Sequence, residues 1–174
     1  FTPNDLLVMA RAPDLLQGIA AMVQAIWQPG AVDMQLKHLV GLVASAAGGC
    51  PYCMAHNAHG AVRGGVSEAQ LRALCDLDTS PLFSAAERAA LVAAREAAGQ
   101  APGLGDATWA ELRRHYDERQ VLEIVAVIAM FGFLNRWNSA LGTRLEAGPL
   151  EAARALLGGL GWEPGRHVPR GGAD

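Results

Sequence analysis

The residues whose types and spacing most directly suggest chemistry are two cysteines in the run Cys50-Pro51-Tyr52-Cys53. Residues three apart on a helix share a face, so these thiols could form a disulfide, or one could resolve a sulfenic acid on the other. Proline is favoured at the first helical position, which makes Cys50 the expected N-cap of a helix. The positive end of that helix favours a reactive thiolate. The motif therefore predicts a redox-active dithiol.

A histidine follows the cysteine pair at a useful distance. His56 lies three residues, or about one helical turn, after Cys53, and an imidazole exchanges protons near neutral pH. Reduction of a hydroperoxide needs a thiolate nucleophile, a proton for the leaving oxygen and a second thiol that closes a disulfide. The Cys50, Cys53 and His56 side chains could supply all three.

Two other interpretations of the cysteines stay open. Thiolates and imidazoles are also zinc ligands, and the candidates for such a site are Cys50, Cys53, His56, His59 and Cys75. Against a metal site, the first four of these residues follow one another in steps of three, which spreads their side chains around the helix and does not bring them together. The other alternative is that Cys50 and Cys53 are ordinary buried residues. For Cys75, a role as a small buried hydrophobe is expected.

Composition excludes several classes of protein. The chain has 174 residues, a length typical of one domain. A formal charge of −3 with no basic stripe argues against nucleic acid as a partner. The longest apolar stretch, 124–134, is shorter than the roughly 20 residues of a membrane span, so no membrane partner is expected. Three cysteines do not make a secreted disulfide scaffold, and no signal peptide is visible, so a cytoplasmic location is expected.

Helix signals dominate the elements that must position the cysteines. Apolar periodicity predicts a helix over 33–47, which Gly48-Gly49 would end, and the cysteine helix should run from 51 to about 63. The longest helix is predicted over 118–141. We expect an all-α bundle of about seven or eight helices in a single domain over 1–157, with 158–174 as an extended C-terminal tail.

The sequence resembles the carboxymuconolactone decarboxylase superfamily in its AhpD-like alkylhydroperoxidase branch. The most specific part of the likeness is residues 46–61, AAGGCPYCMAHNAHGA, and it extends to FGFLNRWN at 131–138. The resemblance implies an AhpD-like helical fold, a homo-oligomer (a dimer, trimer or hexamer) and no cofactor. It also implies reduction of hydroperoxides by the cysteine pair, which an external thiol or dithiol reductant would regenerate.

The resemblance further implies roles for the two cysteines. Cys53 would be the peroxidatic thiol and Cys50 the resolving one, whereas helix-end electrostatics alone nominates Cys50. Redox members of the family carry a histidine four residues after the second cysteine, where this chain has Asn57 and instead offers His56.

The family acid is replaced in this chain. Redox members carry a glutamate twelve residues before the first cysteine, and here that position is His38. We expect His38 to take over as proton carrier, or a carboxylate such as Glu123 to reach the site from the long helix. The polar residues Asn135, Arg136 and Asn138 should cap that helix or pair across an interface, with a minority interpretation that one of them faces the pocket.

Two rival functions remain at this point. One is a cofactor-free decarboxylase or isomerase acting on a small acid in the same pocket. The other is a non-catalytic metal-binding or redox-sensing protein.

Overall fold

The computed structural model describes residues 2–99 and 103–169, and in these ranges it contains nine α-helices and no strand. The all-α prediction is confirmed. The helices exceed the seven or eight expected, and the shortest two are α1 and α5. The helices are α1 (Asn4–Met9), α2 (Pro13–Ile26), α3 (Met34–Ala47), α4 (Pro51–Arg63), α5 (Glu68–Arg72), α6 (Ala85–Ala97), α7 (Asp106–His115), α8 (Glu118–Leu141) and α9 (Ala147–Leu157).

Helices α3 and α4 form the centre of the bundle. Helix α3 packs against α4, α6 and α8, while α4 also contacts α9. Helix α3 begins after its capping residue Asp33 and is buried over most of its length, because residues 39–44 form a continuous apolar run. On α4, the small residues Ala55, Ala58 and Ala61 are completely buried and allow neighbouring helices to approach closely.

The turn between α3 and α4 positions the cysteines. Gly49 has a φ of 66°, a left-handed conformation that glycine adopts at the least steric cost. The Cys50 N–H donates to the Ser45 carbonyl at 3.0 Å, and the Gly49 N–H to the Ala46 carbonyl at 3.1 Å. These two bonds satisfy carbonyls at the end of α3 and fold the chain back. Cys50 thereby becomes the N-cap of α4, with Pro51 at the first helical position.

Helix α8 supplies the wall opposite the cysteine turn. It begins at an Asp117 capping box and ends at Gly142, whose φ is 61°. Within 2–99 and 103–169 it is the one helix long and apolar enough to cross a membrane by length and composition, and 39% of its most apolar window is buried in the protein. The core helix of a soluble protein meets the same criteria, so this is weak evidence for a membrane span.

The segment after α9 corrects one expectation. Residues 158–169 do not extend away from the domain but fold onto it in two 3-10 turns. The Trp162 indole N–H donates to the Pro51 carbonyl at 3.3 Å, and the nearly inaccessible His167 ring bonds the Thr143 carbonyl at 2.7 Å. Burial of these two large rings holds the segment against the domain. The rest of the predicted tail, 170–174, lies outside the described residues.

Candidate active site

The two cysteines of α4 lie together in the first turn of the helix. Both are free thiols, and their side chains are 0% (Cys50) and 3% (Cys53) exposed. The Cys53 thiol hydrogen-bonds the Cys50 sulfur. This arrangement places the two sulfur atoms side by side in a site shielded from bulk water.

The pair favours a thiolate on Cys50. The hydrogen bond from Cys53 is the largest influence and lowers the pKa of Cys50 to about 6, with burial opposing it. The N–H groups of Tyr52 and Cys53 and the Ser139 hydroxyl add to this stabilisation. The pKa of Cys53 is raised, because it donates to Cys50, is buried and faces the Cys50 charge. The lower pKa of Cys50 agrees with the helix-end argument, which nominates Cys50 as the reactive thiol. It differs from the family resemblance, which implies Cys53 as the peroxidatic thiol.

One polar residue of α8 completes the wall beside the thiols. The Asn138 side-chain amide donates to the Cys53 sulfur at 3.5 Å and is completely buried. Asn135 instead donates to the Ala44 carbonyl near the end of α3, and exposed Arg136 bonds the Gly132 carbonyl. The minority interpretation therefore fits Asn138, whereas its two neighbours bond backbone carbonyls.

His56 is held by a carboxylate that sequence reasoning missed. Its Nε2 atom lies 2.7 Å from Oε2 of Glu146, the N-cap of α9. The His56 ring also packs on the Tyr52 ring with centroids 4.5 Å apart, and the Tyr52 hydroxyl donates to Glu146 Oε1 at 3.1 Å. Glu146 follows His56 by 90 residues. The sequence offers no spacing signal for it, since an acid at a helix start is ordinary.

Helix α1 closes the same side of the site. The Asp5 N–H donates to the Tyr52 hydroxyl oxygen at 3.3 Å, and the Asp5 carboxylate bonds the Asn138 amide. Burial is the main reason that the pKa of Asp5 is raised. Burial, together with the carboxylates of Asp5 and Glu146, also raises the pKa of Tyr52. We call Asp5, Tyr52, His56 and Glu146 the acid–base cluster.

The structure does not bring His38 to the cysteines. Its ring packs against Gly60 and meets the Trp27 ring edge-on with centroids 4.9 Å apart. Gly60 lies seven residues after Cys53, about 10 Å further along the helix axis. Burial lowers the pKa of His38 to about 4, and its Nδ1 atom is buried without a hydrogen-bond partner. The geometry therefore gives no support to His38 as the proton carrier of the dithiol.

Glu123 is equally remote from the dithiol. Its carboxylate forms an ion pair with Lys37 at 3.1 Å and accepts the N–H groups of Ala31 and Val32, both at 3.1 Å. The expectation that Glu123 reaches the cysteines was wrong, because these contacts fix it on the loop before α3.

The third cysteine lies on the rim of a groove. Cys75 is exposed in the 3-10 turn Ala73–Asp76, so the expectation that it is buried was wrong. The groove has a volume of about 620 Å³, and its lining also includes Gly49, just before α4, and Pro51 and Met54 in the first turns of that helix. Over the residues that the structure describes, no group of three or more His, Cys, Asp or Glu side chains is arranged to hold a metal ion.

Comparison with known sequences gives the family of this site. The profile of the carboxymuconolactone decarboxylase family matches residues 13–96, which include the cysteine helix. Uncharacterized protein YnjA of Escherichia coli K12 is 37% identical over 75 residues, which make up 43% of this chain and 41% of that protein. The match therefore spans about two fifths of the curated relative.

Solved structures extend the likeness to most of the chain. The debrominase Bmp8, as a cysteine-to-alanine variant in complex with 2,3,4-tribromopyrrole, is 34% identical with a TM-score of 0.85, over 90% of this chain and 83% of that one. An uncharacterized peroxidase-related protein of Ralstonia eutropha with an alkylhydroperoxidase AhpD core is 23% identical with a TM-score of 0.70, over 86% and 80% of the two chains. The chain belongs to the carboxymuconolactone decarboxylase family, as its cysteine segment predicts, and has the AhpD-like fold.

Proposed function

We propose that this protein is a thiol-dependent reductase that passes two electrons from Cys50 and Cys53 to a hydroperoxide. The observation that carries the proposal is the buried, hydrogen-bonded pair of free thiols at the start of α4, an arrangement that lowers the pKa of Cys50. A thiolate is the reactive form of cysteine towards peroxides, and a neighbouring thiol is what converts the oxidised product into a disulfide.

The reaction begins at Cys50. Its thiolate attacks the distal peroxide oxygen, so that an S–O bond forms, the O–O bond breaks and an alkoxide leaves with a proton from His56. The Cys53 thiol then attacks the Cys50 sulfenic acid. An S–S bond forms, and the hydroxyl group departs as water with the Cys53 proton. One hydroperoxide and two thiols thus yield an alcohol, water and a disulfide, which an external thiol or dithiol reduces.

A thiol count combined with stopped-flow peroxide consumption tests this scheme. Wild type should lose two thiols per equivalent of cumene hydroperoxide and regain them with dithiothreitol. Cys53→Ser should stop at a sulfenic acid on Cys50 that dimedone labels, whereas Cys50→Ser should lose the fast reaction. Cys75→Ser is the matched control and should react like wild type. Equal rates in all four proteins would contradict the proposal.

Reductive dehalogenation is a second candidate, favoured by the 34% identity with a debrominase over 90% of this chain. The groove beside the start of α4 has the size of a small-molecule site. In this reaction a C–Br bond is replaced by a C–H bond, bromide leaves and the same dithiol is oxidised to a disulfide. Bromide release from 2,3,4-tribromopyrrole in the presence of dithiothreitol, compared with turnover of cumene hydroperoxide, decides between the two substrates.

The rival functions predict different results for the same variants. A cofactor-free decarboxylase or isomerase would keep its turnover in a Cys50→Ser/Cys53→Ser double variant. A metal-binding protein would carry stoichiometric zinc that thiol alkylation releases.

A homo-oligomer is also part of the proposal. Helix α8 exposes Leu122, Val125 and Leu141 on its surface, at 60%, 38% and 52%. Exposed apolar residues along one helix suit a contact with a second copy of the chain. Light scattering on the purified protein tests this, and a monomer at micromolar concentration would contradict it.

A further inference from the structure

Glu146 joins three helices at the edge of the dithiol site. Its Oε2 atom bonds His56 on α4, and its Oε1 atom accepts the Tyr52 hydroxyl, also on α4, and the backbone N–H of Asn4 on α1. Glu146 is the N-cap residue of α9, although its carboxylate makes no capping bond to that helix, and the side chain is only 14% exposed. Both of its oxygens therefore have defined partners, which fixes the side chain in one position.

The Glu146 carboxylate determines which nitrogen of the His56 ring carries the hydrogen. Burial alone would raise the pKa of Glu146, but hydrogen bonds from His56 and from the Asn4 N–H outweigh burial and lower it. An ionised carboxylate only accepts hydrogen bonds, so Nε2 of His56 must carry the proton that lies between them. In the neutral ring, Nδ1 is then the basic nitrogen.

We propose that Glu146 is the positioning residue for proton transfer at the dithiol, holding His56 in one orientation and one tautomer. This inference rests on the proposed function. A proton taken up by the ring gives an imidazolium that lies against the Glu146 carboxylate. The imidazolium then gives this proton to the alkoxide that leaves after S–O bond formation, so no charge remains on the ring.

Helix α1 partly covers this pair, in which the Glu146 side chain is 14% exposed and the His56 side chain 21% exposed. The Asn4 N–H contacts Glu146 directly, and the Asn4 side-chain amide donates to the Arg144 carbonyl at 2.9 Å. These bonds seat α1 over Glu146 and Tyr52. Because charged pairs are stronger where water is excluded, this cover increases the influence of the carboxylate on the ring.

Glu146→Gln tests the inference with little change of shape. The glutamine oxygen can still accept the Tyr52 and Asn4 donors, but its amide nitrogen donates to His56 and imposes the opposite tautomer. We expect kcat for cumene hydroperoxide at pH 7 to fall about 10- to 100-fold with little change of KM. The alkaline limb of the pH–rate profile should move to lower pH, because a neutral amide does not stabilise a protonated ring.

Two further variants separate positioning from a merely structural role. Glu146→Asp keeps the charge and should retain the wild-type pH profile at a reduced rate, while Glu151→Gln, at an exposed site on the same helix, should behave like wild type. In a His56→Asn background, Glu146→Gln should have little further effect, since its partner is already lost.

The outcomes are distinguishable. If wild type fails to oxidise its thiols with peroxide, the proposed function fails. If wild type is active and Glu146→Gln keeps its kcat and pH profile, or lowers kcat by the same factor with and without His56, Glu146 has no positioning role and the inference is overturned.

Discussion

Glu123 and Glu146 each contact a basic residue that is distant in the sequence, and the two contacts have different roles. Glu123 pairs with Lys37 at 3.1 Å, and Glu146 pairs with His56 at 2.7 Å. Both acids are largely buried, with exposures of 10% and 14%. The difference lies in the partner: lysine stays charged throughout the physiological range, whereas an imidazole gains or loses its proton close to neutral pH.

The environment of each pair reinforces this difference. The Lys37 ammonium also donates to the carbonyls of Ile26 and Gln28, and is only 2% exposed. Together with Glu123, it fastens the chain between α2 and α3 to the long helix. Around Glu146 the neighbours are Tyr52 and His56, which carry hydrogen-bonding protons beside the dithiol. The Lys37–Glu123 ion pair thus acts as a structural tether. The His56–Glu146 pair can take part in proton transfer.

The largest expected effect comes from breaking the tether. Lys37→Met leaves the Glu123 carboxylate without its buried cation, so the free energy of unfolding should fall by about 3 to 5 kcal/mol. Urea unfolding followed by circular dichroism measures this loss. The rate of thiol oxidation in the protein that remains folded should stay at the wild-type value, because the pair is remote from the cysteines.

Arg119→Gln is the matched control for the tether. Arg119 bonds the same carboxylate at 2.9 Å but is 73% exposed, so its removal should cost less than about 1 kcal/mol. A loss as large as that of Lys37→Met would show that burial of the cation is not what makes the tether strong.

The next prediction concerns His38, which, unlike His56, lies away from the dithiol. Burial lowers the pKa of His38 from 6.5 to about 4 in the folded protein. As the pH falls through this window, the unfolded chain takes up a proton that the folded protein does not, so stability is lost between pH 6.5 and 4. His38→Phe should remove about 2 kcal/mol of this acid-induced loss.

Denaturant unfolding of wild type and His38→Phe at pH 7 and pH 4.5 measures the effect, and peroxide reduction by the same variant is the second readout. Activity within about twofold of wild type is expected, since His38 packs on Gly60 and Trp27 and not on the dithiol. A loss of activity as large as that of a cysteine variant would contradict this prediction and show that His38 takes part in the reaction.

Local signals in the sequence were sufficient for much of the fold. The Gly48-Gly49 turn, the Pro51 start of α4 and the α8 range each depend on neighbours within a few residues, and each is where the pattern predicts it. The same is true of the two cysteines, whose proximity follows from their spacing on one helical turn.

The partners of the site could not be predicted in this way, because they depend on how helices pack. His38 and Glu123 were expected near the dithiol from a family position and from a chemical type, yet packing places both elsewhere. Glu146 reaches His56 from 90 residues away, and its sequence neighbourhood resembles any helix start. Cys75 was expected to be buried as a small apolar residue, but its turn faces an open groove.

The smallest expected effect sharpens the comparison at the Tyr52 hydroxyl. Tyr52→Phe removes the hydrogen bond to Glu146 and the weaker one from the Asp5 N–H, while leaving the ring that packs on His56. Because the carboxylate keeps its charge and its bond to His56, we expect a loss of about 1 kcal/mol in stability and a 2- to 5-fold fall in kcat. Stopped-flow peroxide reduction across pH 5 to 9 should give a profile of unchanged shape. A profile displaced as far as that of Glu146→Gln would mean that the hydroxyl, and not the carboxylate charge, controls the protonation of the His56 ring.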